Sequence, residues 1–297
     1  MYMHVLTSNS MKRKAFIKSL AVSAAGIAAS PALAVESRPK KESVPQIVGF
    51  NHLPVKEIKT MKTVLHLADS RSNVDHGWLK ARHTFSFANY YNPERIHFGV
   101  LRVLNDDQIA GGMGFGMHPH DNMEIITIPL SGTIEHKDSM GSHGIIQAGE
   151  VQVMSAGTGV THSEFNHNKD ELLKLLQIWV IPQKHAVTPR YDQATYDATK
   201  TNEFVQVVSP FDQDEAGLKI HQNARFYLGN LTEGFGAEYN IKAEGNGLYV
   251  FVIDGNITVD SQKLSTRDGY GIWDTESVYI TADSNAKVLL MDLPMAV

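Results

Sequence analysis

The sequence predicts an all-β fold laid out as two β-barrels in tandem. Three observations carry that expectation. Past Met61 helical periodicity is scarce, and short strand-like runs recur at 97–104, 124–130, 132–136, 150–154 and 175–181. Clusters rich in Gly, Asp, Asn and Ser (NDD, SG, MGSHG, SAGTG) separate those runs. The pattern then returns: 247–253, 256–259, 270–273, 278–280 and 287–292 form a second set, and GLYVFVIDGNITVD repeats the strand, turn glycine and strand of ITIPLSGTIEHKD. An internal repeat of this kind reads as two copies of one unit.

Ahead of the first unit, the chain from Met11 has a basic start (Lys12, Arg13, Lys14), a short apolar stretch and the small-residue site Ala32-Leu33-Ala34. That is the three-part pattern of a secretory signal over residues 1–34. Arg13-Lys14-Ala15-Phe16-Ile17-Lys18 also resembles a twin-arginine signal, with Lys14 in place of the second Arg. The apolar stretch is short and alanine-rich for a membrane span, so no stable membrane insertion is expected. Residues 35–60 contain Pro39, Pro45 and Pro54 without periodicity and read as a linker. A periplasmic or exported protein follows from the signal. A start at Met61 would give a cytoplasmic protein with the same remaining sequence. The first barrel is then expected over 61–186 and the second over 187–297.

Composition narrows the chemistry. The 297 residues are 42% hydrophobic and 20% charged, which are globular values, and the formal net charge of −5 gives no footprint for nucleic acid. The absence of cysteine excludes disulfides, thiolate metal sites and thiol nucleophiles. Of 14 histidines only His185 and His221 lie beyond Asn168, which places any metal chemistry in the first unit.

Within that unit GGMGFGMHPHDNMEI sets His118 and His120 two apart, so on a strand both side chains share a face. SAGTGVTHSEFN does the same for His162 and Glu164. Two dyads from two strands, each beside glycine turns, suit a borderline transition metal better than Mg or Ca. Three imidazoles and one carboxylate would leave room for water, a chelating substrate or O₂ in a six-coordinate shell. Spacing leaves Glu124 as a second candidate carboxylate, because it has the same parity as His118 and His120. Phe115, Met117, Met154 and Trp179 flank the dyads and either wall a pocket or pack the core. His66, His76, His83 and His97 read as surface or hydrogen-bonded residues, and Trp78, Phe85, Phe87, Tyr90 and Tyr91 as packing around the barrel closure. The second unit has no HxH, and His221 stands alone there.

The residues Gly112-x5-His118-x-His120-x3-Glu124 match the first cupin motif. Gly159-x2-His162-x3-Asn166 matches the end of the second, without its usual Pro. HGWLKARHTFSFANYYNPERIHFG, HPHDNMEI, EHKDSMG and SAGTGVTHSEFN resemble the pirin family, and within it the bacterial quercetinase-like branch, from about Met61 to Leu293. The resemblance implies a bicupin, two jelly-roll type barrels with metal in the first alone. It also implies that the carboxylate ligand comes from the second motif. The set is then His118, His120, His162 and Glu164, and Glu124 becomes a nearby polar group. The cofactor implied is one divalent transition metal, iron first, with Mn, Ni, Co, Cu or Zn as alternatives. The activity implied is quercetin 2,3-dioxygenase. Metal would acidify the 3-hydroxyl of a flavonol, Glu164 would take its proton as general base, and O₂ would open the heterocycle with loss of carbon monoxide. A metal-dependent interaction protein without turnover, and a cupin enzyme on another small molecule, are the alternative readings.

Overall fold

A computed structural model describes residues 60–297. The expected signal, and the linker up to residue 59, lie outside the described residues. Among the described residues the regular structure is strand throughout, apart from the 3-10 turn Ala68–Ser70, and no helix is long and apolar enough to cross a membrane.

Two barrels are present, each made of one large and one small antiparallel sheet, with a single parallel pairing at the edge of the second. The first barrel's large sheet runs Arg190–Thr195, Glu150–Ser155, Glu124–Ser131, Leu173–Val180, Leu101–Ile109, Leu79–His83, Val74–Asp75. Its small sheet runs Gly114–His120, Val160–Asn166, Thr133–Asp138, His143–Gln147. The second barrel repeats the plan. Its large sheet runs Lys62–His66, Gly269–Trp273, Asn246–Asp254, Ala286–Pro294, Arg225–Leu231, Phe204–Pro210, Leu218–Ile220. Gly236–Asn240, Ser277–Ala282, Asn256–Val259 and Gln262–Ser265 make its small sheet. This is the cupin-type architecture that the motifs imply.

One edge strand crosses between the barrels. Lys62–His66 comes before the first barrel in sequence yet pairs with Gly269–Trp273 of the second. Arg190–Thr195, beyond the last strand of the first small sheet, pairs with Glu150–Ser155 of the first.

Burial explains why the large-sheet strands are apolar on both faces. In Leu173–Val180, Leu176, Ile178 and Val180 join a cluster that continues into Phe226, Phe251 and Leu289 of the second barrel, while Leu173 and Leu175 face their own barrel. Each such side chain contributes roughly 1.5–3 kcal/mol when fully buried. The two large sheets are therefore held back to back by a continuous hydrophobic layer. Asp106 adds a polar tie in that layer, 3.5 Å from both Arg71 and Arg267.

The interiors of the barrels differ. The second is filled with apolar side chains, among them Leu248, Val250, Ile257, Ile272, Ile280 and Leu290. In the first, one apolar cluster (Leu79, Ile109, Ile134, Leu173, Leu175) and another (Ile125, Met154, Ala156, Val160) are separate. A polar row crosses the large sheet between them. Strand register sets His83 opposite Asn105, Asn105 opposite Gln177, Gln177 opposite Thr127, Thr127 opposite Gln152, and Gln152 opposite Gln193.

Several aromatic and histidine expectations resolve here. Phe85 and His66 are buried, with His66 Nδ1 at 2.7 Å from the Tyr249 hydroxyl. His97 bonds the Gly99 carbonyl and His76 is exposed. His83 departs from the expectation: it is buried edge-on to Phe87, and its Nδ1 has no hydrogen-bond partner among the described residues. Tyr91 departs too, being 74% exposed rather than packed.

Candidate metal centre

The polar interior of the first barrel is completed by the inner face of its small sheet. Gly114–His120 and Val160–Asn166 pair antiparallel with His162 directly opposite His118. Two glycines make that pairing feasible. Gly159, at φ 125°, takes the turn into Val160–Asn166. A Cβ on Gly114 would lie 2.2 Å from the Glu164 carbonyl oxygen, so only glycine permits the close approach. The register then shifts between His162 and Glu164, leaving an extra residue on the His118 strand.

His118, His120 and His162 come together, each offering a ring nitrogen within 4.8 Å of the others. Their ring centroids lie 4.4–4.9 Å apart. His118 Nδ1 is 2.7 Å from the Gly116 carbonyl and must donate to it, which leaves Nε2 as a bare lone pair. His162 Nε2 faces that lone pair at 3.0 Å. Burial first, and then the neighbouring histidines, push His162 down to about 2; burial and His118 push His120 to about 4. The His162 and His120 rings are therefore neutral at neutral pH, which is the ligating form. Three imidazole nitrogens thus converge within 4.8 Å of one another, a donor set that fits a metal.

Glu164 is placed differently from the three histidines. It falls in an overlapping group with His136 and His162, and the four expected ligands are not gathered within one 4.8 Å set. Its carboxylate reaches across the barrel to the polar row: Thr127 Oγ1 donates to Oε1 at 3.2 Å and Gln177 Nε2 to Oε2 at 2.6 Å. Burial raises Glu164 to about 7, against the pull of Thr127, Gln152 and Gln177. It is thus poised between acid and base near neutrality.

Glu124 does not share the face of His118 and His120. The turn through Asn122, at φ 45°, intervenes and moves Glu124 to a strand of the other sheet. There it accepts from Ser155 Oγ at 2.7 Å and from the His221 backbone N–H, and burial raises it to about 7. Among the flanking residues, Met154 is core, Met117 is 60% exposed, and Phe115 packs edge-on to Trp78. Trp179 stands edge-on to His120 with centroids 4.8 Å apart, and its buried Nε1 has no hydrogen-bond partner among the described residues.

His136, Asp138, Thr127, Gln152 and Gln177 are not among the residues expected at the site from the sequence. A signal for the first two was present, since His136 and Asp138 form a third dyad with the same two-residue spacing. They pair opposite Glu164 and His162 respectively. The other three had no sequence signal, because only strand register aligns them.

Comparison with known proteins places these features in a family. Residues 64–180 match the model described as Pirin, and residues 206–293 match that described as Quercetinase C-terminal cupin domain. The chain is 47% identical over 230 residues to quercetin 2,3-dioxygenase of Escherichia coli (strain K12), covering 77% of this chain and 98% of that protein. It is 40% identical to a pirin-like protein of Caulobacter vibrioides, over 75% of this chain and 96% of the relative. A crystal structure of a bacterial pirin from Escherichia coli in complex with nickel(II) superposes with a TM-score of 0.75 at 44% identity, covering 80% of this chain and all of that one.

Proposed function

The chain belongs to the pirin family, and from that premise we propose that it is a metal-dependent dioxygenase of flavonols such as quercetin. The observation that carries the reading is the convergence of His118, His120 and His162 beside a buried carboxylate that is near its titration point at neutral pH. His118, His120, His162 and Glu164 would hold one divalent transition metal. Iron is our first choice; nickel is what the related Escherichia coli structure contains. Bound there, the metal would supply Lewis acidity to the hydroxyl–ketone edge of a flavonol.

The chain's own residues do the rest. Glu164 Oε2 accepts the proton of the substrate hydroxyl, while Gln177 and Thr127 hold the carboxylate across the barrel so that it has one direction to move. Burial, which raises its pKa, favours its taking up that proton. Trp179, backed by Phe87 with ring centroids 5.3 Å apart, forms an apolar wall beside His120 against which a planar ring can lie. Both atoms of O₂ enter the ring-opened product and carbon monoxide leaves. The second barrel, with its apolar interior, supports the first, and the leader read over 1–34 would put the protein outside the cytoplasm.

The test is O₂ uptake and carbon monoxide release with quercetin by the metal-loaded chain, beside Glu164→Gln. We expect uptake in the wild type and its loss in the variant. Metal binding by both proteins with no uptake by either would remove flavonol dioxygenation and favour an interaction protein.

A further inference from the structure

His162 lies between two other histidines. Its Nε2 is 3.0 Å from His118 Nε2, and its Nδ1 is 3.4 Å from His136 Nδ1. His136 continues the line, with Nε2 at 3.1 Å from Asp138 Oδ2. Asp138 Oδ1 in turn accepts the backbone N–H groups of Met140 and Ser142, each at 2.9 Å. The side chains of His136 and Asp138 are 0% exposed, and the Tyr191 ring stacks on His136 with centroids 4.5 Å apart.

With a metal at the point that His118 Nε2 and His162 Nε2 both face, one distribution of protons satisfies the rest of the line. A carboxylate accepts, so His136 carries its proton on Nε2. Its Nδ1 is then an acceptor, so His162 carries its proton on Nδ1. The outcome is a lone pair on His162 Nε2, aimed at the point that His118 also faces. We propose that His136 and Asp138 are positioning residues that fix the tautomer and orientation of His162 for metal ligation. The inference rests on the metal reading above and is independent of the substrate.

His136 is not itself a free ligand in this arrangement, because both its nitrogens are engaged, one by Asp138 and one by His162. The pair extends the usual support of a metal-bound histidine, in which the second ring nitrogen donates to a carboxylate, by one imidazole. Tyr191 keeps the intermediate ring from turning. The line ends in the 138–142 turn, so the geometry of a surface hairpin is coupled to a ligand in the barrel.

Two substitutions separate this role from simple support of the turn. Asp138→Asn keeps an oxygen for Met140 and Ser142 but presents an NH₂ to His136 Nε2. That inverts the His136 tautomer, drives the proton of His162 onto Nε2 and removes its lone pair. Asp138→Ala loses the turn bonds yet leaves both tautomers free to stay as they are. The measurement is Co(II) titration of the metal-stripped full chain, read by visible absorption, with melting of the metal-free proteins alongside. We expect Asp138→Asn to bind about 10–100-fold more weakly than wild type, and Asp138→Ala to bind better than Asp138→Asn despite melting lower. Weaker binding by Asp138→Ala than by Asp138→Asn, or wild-type binding by both, would overturn the proposal. No saturable Co(II) band in the wild type would remove the metal reading itself, and this inference with it.

Discussion

Acid should loosen the junction between the barrels at His66, and the effect can be sized. His66 is 4% exposed, lies 2.7 Å from the Tyr249 hydroxyl and stands edge-on to Phe85 at 5.6 Å. Burial, aided by the charge of Arg95, lowers its pKa from 6.5 to about 4. The folded protein therefore keeps a neutral ring at a pH where the unfolded chain already binds a proton. The contribution is intact above the unfolded value, drains as pH falls through the interval, and levels off below the folded value. Linkage over that interval gives a loss of about 2 kcal/mol by pH 5 and about 3 kcal/mol by pH 4. In His66→Gln the side chain still meets Tyr249 but cannot titrate. Urea denaturation of both proteins at about pH 7.5 and about pH 5 should show their stability gap moving by about 2 kcal/mol in the variant's favour. Buried carboxyls such as Asp107, raised to about 8 chiefly by burial, act in the opposite direction but are common to both proteins. A gap that stays constant between the two pH values would refute a neutral, buried His66.

Two further outcomes follow from other contacts. Asp106→Ala strips the shared carboxylate from Arg71, whose side chain is 3% exposed, and from Arg267. It should cost about 3–5 kcal/mol in urea denaturation; a loss no larger than that of an exposed ion pair would contradict the buried tie. Gly114→Ala places a Cβ 2.2 Å from the Glu164 carbonyl oxygen and should force the two ligand-bearing strands apart. The chain should still fold but take up Co(II) more weakly, and wild-type affinity would show that the close approach is not needed.

Much of this molecule was legible before its structure, for physical reasons that differ from part to part. Strand periodicity exposed the His118/His120 and His162/Glu164 dyads, because a two-residue spacing has one meaning on a strand. The same arithmetic failed for Glu124, since parity does not survive the Asn122 turn onto another sheet. His136 and Asp138, in EHKD, carry the same two-residue spacing but lie outside the glycine-flanked motifs that drew attention to the other dyads. One face of EHKD is turned into the barrel, while Lys137 is exposed. The polar row through Asn105, Gln177, Thr127 and Gln152 was illegible for another reason. These residues belong to four strands with unrelated spacings, and hydrogen-bond register alone makes them neighbours. The four expected ligands fall into two overlapping groups that share His162, and the hydrogen bonds from that row to Glu164 were not legible in the spacing.

The placement of the Lys62–His66 and Arg190–Thr195 strands bears on how such a protein can be taken apart. A cut in the connection between Val180 and Arg190 would leave a leading fragment whose Lys62–His66 strand lies in the other fragment's sheet. The trailing fragment would keep its Arg190–Thr195 strand on the first barrel. Each piece holds the other by a strand of its own, so the nicked chain should survive as a non-covalent pair. Neither half, made separately with its own strands alone, would have a complete sheet. Cut at that point, the tandem repeat becomes a reciprocal clasp, each barrel gripped by a strand of the other fragment.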